Sequence, residues 1–79
     1  MPRQIQLTLE ATDACQLLDG LATRAEQWEA TVEILETGHV TDDRYCALEC
    51  DSAEEAATIG RHYRELLANL NRQIATQTA

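Results

Sequence analysis

The chain has 79 residues, 44% of them apolar and only three aromatic (Trp28, Tyr45 and Tyr63), and a formal net charge of −8. That length supports one small domain whose folding covers only about 60–65% of the unfolded surface, so a second copy, a metal or a disulfide is a common supplement. The negative balance repels phosphate backbones and anionic lipid, so neither direct nucleic-acid binding nor membrane binding is expected, and no apolar run is long enough to span a bilayer.

Residues 4–10 alternate, with Ile5, Leu7 and Leu9 on one side and Gln4, Gln6, Thr8 and Glu10 on the other. A period of two predicts a half-buried strand. A helix over about 13–37 follows, capped by Thr12 or Asp13, with Gln16 three positions beyond Asp13. Its apolar and small residues are Ala14, Leu18, Leu21, Ala25, Trp28, Val32 and Leu35, spaced alternately four and three apart. That spacing is a heptad seam. Gly20 interrupts it at a cost of about 1 kcal/mol against alanine, and a bend there is more compatible with the seam than a break. Gly38 stands where a left-handed residue closes a helix.

The stretch 39–50 reads as a loop, with a short strand over about 44–50 carrying Cys46, Leu48 and Cys50 on one side. Ser52 and Glu55 then form a capping box that opens a second helix, about 52–75. Its seam is Ala56, Gly60, Tyr63, Leu67, Leu70 and Ile74, and the tail beyond Ala75 is polar. The expected fold is therefore mainly α: an antiparallel two-helix hairpin in β-α-β-α order with two short strands.

Folding the chain at the connection brings together residues whose numbers sum to about ninety. Trp28 then faces Gly60 and Tyr63, and large side chains meet small ones, as close packing requires. Leu18, Leu21, Val32, Leu35, Leu67 and Leu70 complete the expected helix packing. Glu26 falls level with Arg64, and Glu29 with Arg61, flanking the seam. A strand of seven residues reaches about 23 Å, against about 37 Å for a 25-residue helix, so two strands at opposite ends overlap poorly within one chain. Pairing between two protomers would solve that and would cover Leu17, Ile34, Ile59 and Leu66, so a homodimer in a four-helix arrangement is expected.

Three cysteines, an odd number, with no signal-peptide pattern at the N-terminus, read as reduced thiols of a cytoplasmic protein. Cys46 and Cys50, with His39 and His62, have residue types that zinc uses, but not the tight paired spacing of structural zinc sites. The expectation is no metal site and no cofactor, with a thiol or metal switch as a minor alternative. The glycines are widely separated, so there is no phosphate loop, and no nucleophile stands beside a base in sequence. No catalytic residue is identified, and an enzyme is not expected.

The charge is concentrated. Residues 26–55 hold ten acids, opposed within that stretch only by Arg44. Glu26, Glu29, Glu33 and Glu36 share a stripe of the first helix. Glu29, Glu33, Glu36, Asp42 and Asp43 form the candidate partner-binding surface. One reading is a solvated face. The other is a phosphate-mimicking surface for a basic, nucleic-acid-binding protein partner.

The stretches RAEQWEATVEILETG and ECDSAEEAATIGRHYRELL resemble small, acidic, uncharacterised helical proteins of bacterial phages and other mobile elements. The resemblance covers both helices and transfers no catalytic residue. It implies a bacterial cytoplasmic protein and adds weight to inhibition of a nucleic-acid-directed host system. From the residues alone, the leading expectation is a non-enzymatic protein–protein interaction module that dimerises through its helices.

Overall fold

Two long helices dominate the computed structural model, which describes residues 3–42 and 44–78, the last of these in its backbone only. Helix α1 spans Ala11–Thr37 and α2 spans Ala53–Thr78, and they form a helical hairpin. Helix α1 passes through Gly20 without interruption. The molecule measures 43 × 32 × 17 Å. The long dimension is the length of a 27-residue helix, about 40 Å, and the short one is a single layer of helices.

The helix ends follow from local chemistry. Helix α1 begins two residues before the expected start. Glu10 is extended at φ −67° and ψ 154° and makes no side-chain cap, while its carbonyl accepts the Ala14 N–H at 2.9 Å. The Asp13–Gln16 spacing is not used as a cap. Gly38 closes the helix at φ 78°, its N–H donating to the Ile34 carbonyl at 2.8 Å. Thr37 adds a local lock: its hydroxyl bonds to the Glu33 carbonyl at 2.7 Å. At the start of α2, Ser52 Oγ accepts the Glu55 N–H at 3.1 Å, and the Glu55 carboxylate reaches back to the Asp51 N–H at 2.9 Å. The reciprocal pair satisfies two donors that would otherwise be orphaned at the helix entry.

The expected β-α-β-α order does not form: the described residues contain no strand. Arg3–Glu10 carries the period-two pattern but lies as an exposed arm. Residues 44–50 spend their donors elsewhere. The Leu48 N–H goes to Thr31 Oγ1 at 2.9 Å, the Tyr45 N–H to the Asp42 carbonyl at 3.3 Å, and the Arg44 N–H to Asp42 Oδ1 at 3.1 Å. The connection folds back along α1 only as far as Glu26. Sixteen helical residues, about 24 Å, still separate that level from the arm, so the two segments have no common edge on which to pair. Cys46, expected on the inner side of a strand, is exposed.

The two helices meet closely at one point. A Cβ built on Gly60 would stand 3.3 Å from Trp28 Cβ, tighter than ordinary contact. Trp28, Ala25, Ala30 and Ala56 are the buried apolar residues, and Thr31 is fully buried beside them. Leu18, Leu21, Val32, Tyr63, Leu67 and Leu70 are only half-buried, and Leu35 is exposed. The core is thus small side chains gathered around one indole.

The two mid-helix glycines should behave oppositely. Gly20 has nothing within 4 Å of its added Cβ, so Gly20→Ala should stabilise by about 0.5–1 kcal/mol through helix propensity alone. Gly60→Ala carries the same intrinsic gain but meets Trp28 Cβ, which sits on the α1 backbone and has little room to yield. Urea titrations of both variants should show a gain for the first and none, or a loss, for the second. Equal gains would mean that the helices do not touch at Gly60.

Candidate functional site

The two broad sides of the hairpin differ in chemistry. A helix turns about 100° per residue, so Leu17 and Leu35, eighteen positions apart, lie on one line of α1. Leu21 and Trp28 lie beside that line. On α2, Ile59 and Leu66 share a line with Leu70 beside it. Glu29 is about 120° from the Leu17–Leu35 line, and Arg64 about 160° from Leu66. Because Glu29 and Arg64 are joined across the helices, they mark one side, and the leucines and Ile59 mark the other. Leu35 is 45% exposed, Leu17 40% and Leu66 37%, and Ile59 is half-buried. The arm adds Ile5 at 77% and Leu7 at 73%. Ile34, grouped with these by its sequence pattern, turns toward neither line and is half-buried.

Beneath the apolar side lies Trp28. Its Nε1 is sealed from solvent and has no hydrogen-bond partner among the described residues. A buried, unpaired donor costs about 1–3 kcal/mol. The Arg24 guanidinium stands over the ring, 5.8 Å from its centroid, and is itself held by Gln27 at 3.1 Å.

The opposite side carries the acids, and the structure employs most of them. Glu29 takes Arg64 in a two-point fork, at 2.8 Å from Nε and 2.7 Å from Nη2. The register differs by about a turn from the one expected, in which Arg64 met Glu26 and Arg61 met Glu29. The Arg64 guanidinium holds the Glu29 carboxyl below its ordinary range, and the pair raises Arg64 in turn. Glu26 is released to the connection, where its carboxylate accepts the Tyr45 hydroxyl at 2.5 Å. Glu33 accepts both the N–H and the hydroxyl of Thr41, at 2.5 and 2.8 Å. Asp42 is forked by Arg44, whose guanidinium also lies 5.4 Å from the Tyr45 ring centroid. That bonding draws the Asp42 carboxyl below its ordinary range.

Of the five acids expected to form one recognition surface, Glu29, Glu33 and Asp42 therefore fasten the chain to itself. Glu36 is exposed with its carboxylate unengaged, and Asp43 lies outside the described residues. Glu49, Asp51 and Glu54 are the other described acids of the turn end whose carboxylates have no partner. Within the stripe, Glu26 and Glu33 anchor the connecting segment and Glu29 anchors α2. Two residues central to this stitching, Thr31 and Tyr45, carried no functional signal in the sequence. Thr31 donates to the Gln27 carbonyl at 2.8 Å while accepting from Leu48, so one hydroxyl serves the helix and the connection together. A β-branched polar residue next to the helical seam, between Trp28 and Leu35, was the available hint.

His39, His62, Cys15 and Cys46 are exposed, and Cys50 is half-buried with its thiol 3.5 Å from the Ser52 carbonyl. Among the described residues, no three His, Cys, Asp or Glu side chains converge on a point that could hold a metal ion. Two shallow grooves of about 410 and 330 Å³ flank α1. The larger has a floor of Val32, Ala56, Ala57 and Gly60, walled by Arg61 and Arg64; the smaller runs between the acid stripe and the connection. No helix among the described residues is long and apolar enough to cross a membrane. The chain matches no protein-family model, no curated protein and no solved structure.

The Tyr45 latch has a definite pH signature. Its phenol donates to the Glu26 carboxylate, which raises its pKa above the ordinary value of about 10. A group whose folded pKa is raised adds stability below its unfolded pKa and loses it as pH rises through the folded one. Denaturation midpoints should therefore fall above about pH 10 in the wild type, and Tyr45→Phe should be less stable at neutral pH and lack this alkaline component. An identical alkaline decline in both proteins would remove the latch.

Proposed function

We propose that this chain is a non-enzymatic protein–protein interaction module whose helices self-associate into a four-helix arrangement. The observation that carries the reading is uncovered surface. The chain exposes 6333 Å², whereas a compact monomer of its size exposes about 4,800 Å² and its unfolded chain about 12,800 Å². Folding alone thus covers only about half the surface, short of the ~60% reached by even a 60-residue domain. Part of this excess, about 1,500 Å², belongs to the exposed arm Arg3–Glu10, and the rest lies on the two-helix layer, where Leu17, Leu35 and Leu66 are exposed. A two-helix layer has no opposing layer to bury its apolar stripes against, and domains are built from at least two packed layers. The lack of a catalytic constellation in the sequence and the bacterial mobile-element resemblance are consistent with such a module in a reducing cytoplasm.

A second reading draws on the unengaged carboxylates of Glu36, Glu49, Asp51 and Glu54 at the turn end. They would suit a basic, nucleic-acid-binding protein of a host system, attracted by charge. Its test is capture of heparin-binding host proteins by the wild type but not by a variant with Gln at positions 36, 49 and 54. Equal capture by both proteins contradicts it.

For the leading reading, sedimentation velocity across a wide concentration series should show a concentration-dependent rise to a dimer. A strict monomer at the highest concentration contradicts it.

A further inference from the structure

We infer that the second copy docks on the side of the hairpin that carries Leu17, Leu35, Ile59 and Leu66, face to identical face about a two-fold axis. The inference rests on the self-association reading and adds to it the surface and the symmetry. Three observations select this side. Leu17, Leu35 and Leu66 are the exposed large aliphatic side chains of the described helical residues, with half-buried Ile59 beside them, and matching them against their own copies gives the isologous contact that a two-fold dimer requires. The opposite side carries the Glu29–Arg64 fork and the Glu33–Thr41 and Glu26–Tyr45 bonds to the connection, whereas on the leucine side the connection is bonded to α1 at Thr31, which holds the Leu48 N–H. Charge then decides between the sides. Each chain carries −8, and two such chains repel. Docking by the leucine side turns the stripe of Glu26, Glu29, Glu33 and Glu36 outward on both copies and keeps it farthest from its own image. Docking by the other side would bring the stripes together.

The same arrangement fixes the sign of the salt response. Screening weakens repulsion between exposed charges, so added salt should tighten self-association, whereas it loosens capture of a basic partner.

The test uses full-length protein. Leu17→Glu with Leu66→Glu should sediment as a monomer at concentrations where the wild type is a dimer, with helicity by circular dichroism retained. Ala57→Glu, in the groove on the acidic side, should leave the dimer intact. Should the double variant lose its helicity, cysteine labelling decides the question. In a background with Cys15, Cys46 and Cys50 replaced by serine, a thiol introduced by Leu66→Cys should react with a maleimide at least several-fold more slowly in the dimer than in dilute monomer. A thiol from Ala57→Cys should react at one rate in both. Protection at position 57 instead of 66, or dissociation by Ala57→Glu alone, overturns the chosen face while leaving self-association standing. A dimer that weakens as salt is added contradicts the outward arrangement of the acids. A wild type that never leaves the monomer overturns the reading on which the inference rests.

Discussion

The close approach of α1 and α2 at Trp28 and Gly60 is the constraint on which the rest of the molecule depends. Among the described residues an indole is the single large apolar side chain that is buried, and it fits because the facing position has no Cβ. Around that contact the fully buried apolar residues are small, Ala25 and Ala56, while Ala30 is buried under the connection. Everything larger is displaced toward the sides. The narrow waist that joins the helices is therefore also what leaves Leu17, Leu35 and Leu66 in solvent.

The waist also sets the division of labour among the charges. With the helices this close, Glu29 on α1 and Arg64 on α2 stand within reach and clamp one side. An exposed pair of this kind contributes only about 0–1 kcal/mol, so its larger effect is on register. Once Arg64 is taken by Glu29, Glu26 is left for Tyr45, and the connection is drawn back along α1. Thr31 completes the attachment from the buried side by holding the Leu48 N–H. Among these acids Glu26 and Glu33 fasten the connection to α1, Glu29 fastens α2, and Asp42 bonds within the connection itself. What stays free for a partner is the turn end, and what stays greasy is the leucine side.

The helical hairpin was legible in the sequence because its signals are local and periodic. The alternation of four and three along each helix, Gly38 after the first and the Ser52–Glu55 spacing before the second each act within a few residues. The strands were not legible, and the reason is instructive. Alternation at Ile5, Leu7 and Leu9 reports that a segment can be extended, but a strand needs a partner edge, which is a non-local fact. The arm is extended and unpaired because the other candidate, residues 44–50, gives its amides to Thr31 and Asp42. The roles of Thr31, Tyr45 and Glu26 were hidden for the same reason: each bonds to a residue at least 17 positions away along the chain. The helix register at Trp28 and Gly60 is the expected one, and the ion pairing differs by about a turn because the long Arg64 side chain reaches along the helices to Glu29.

The two helices touch at this waist, where a Cβ built on Gly60 would stand 3.3 Å from Trp28 Cβ. Nuclear Overhauser spectroscopy of the protein in solution measures this contact directly. Strong cross-peaks are expected between the Trp28 Cβ protons and the Gly60 Cα protons. Their absence, with Gly60 instead close to some other residue of α1, would contradict the fit and with it the sidedness of the leucines and the acids.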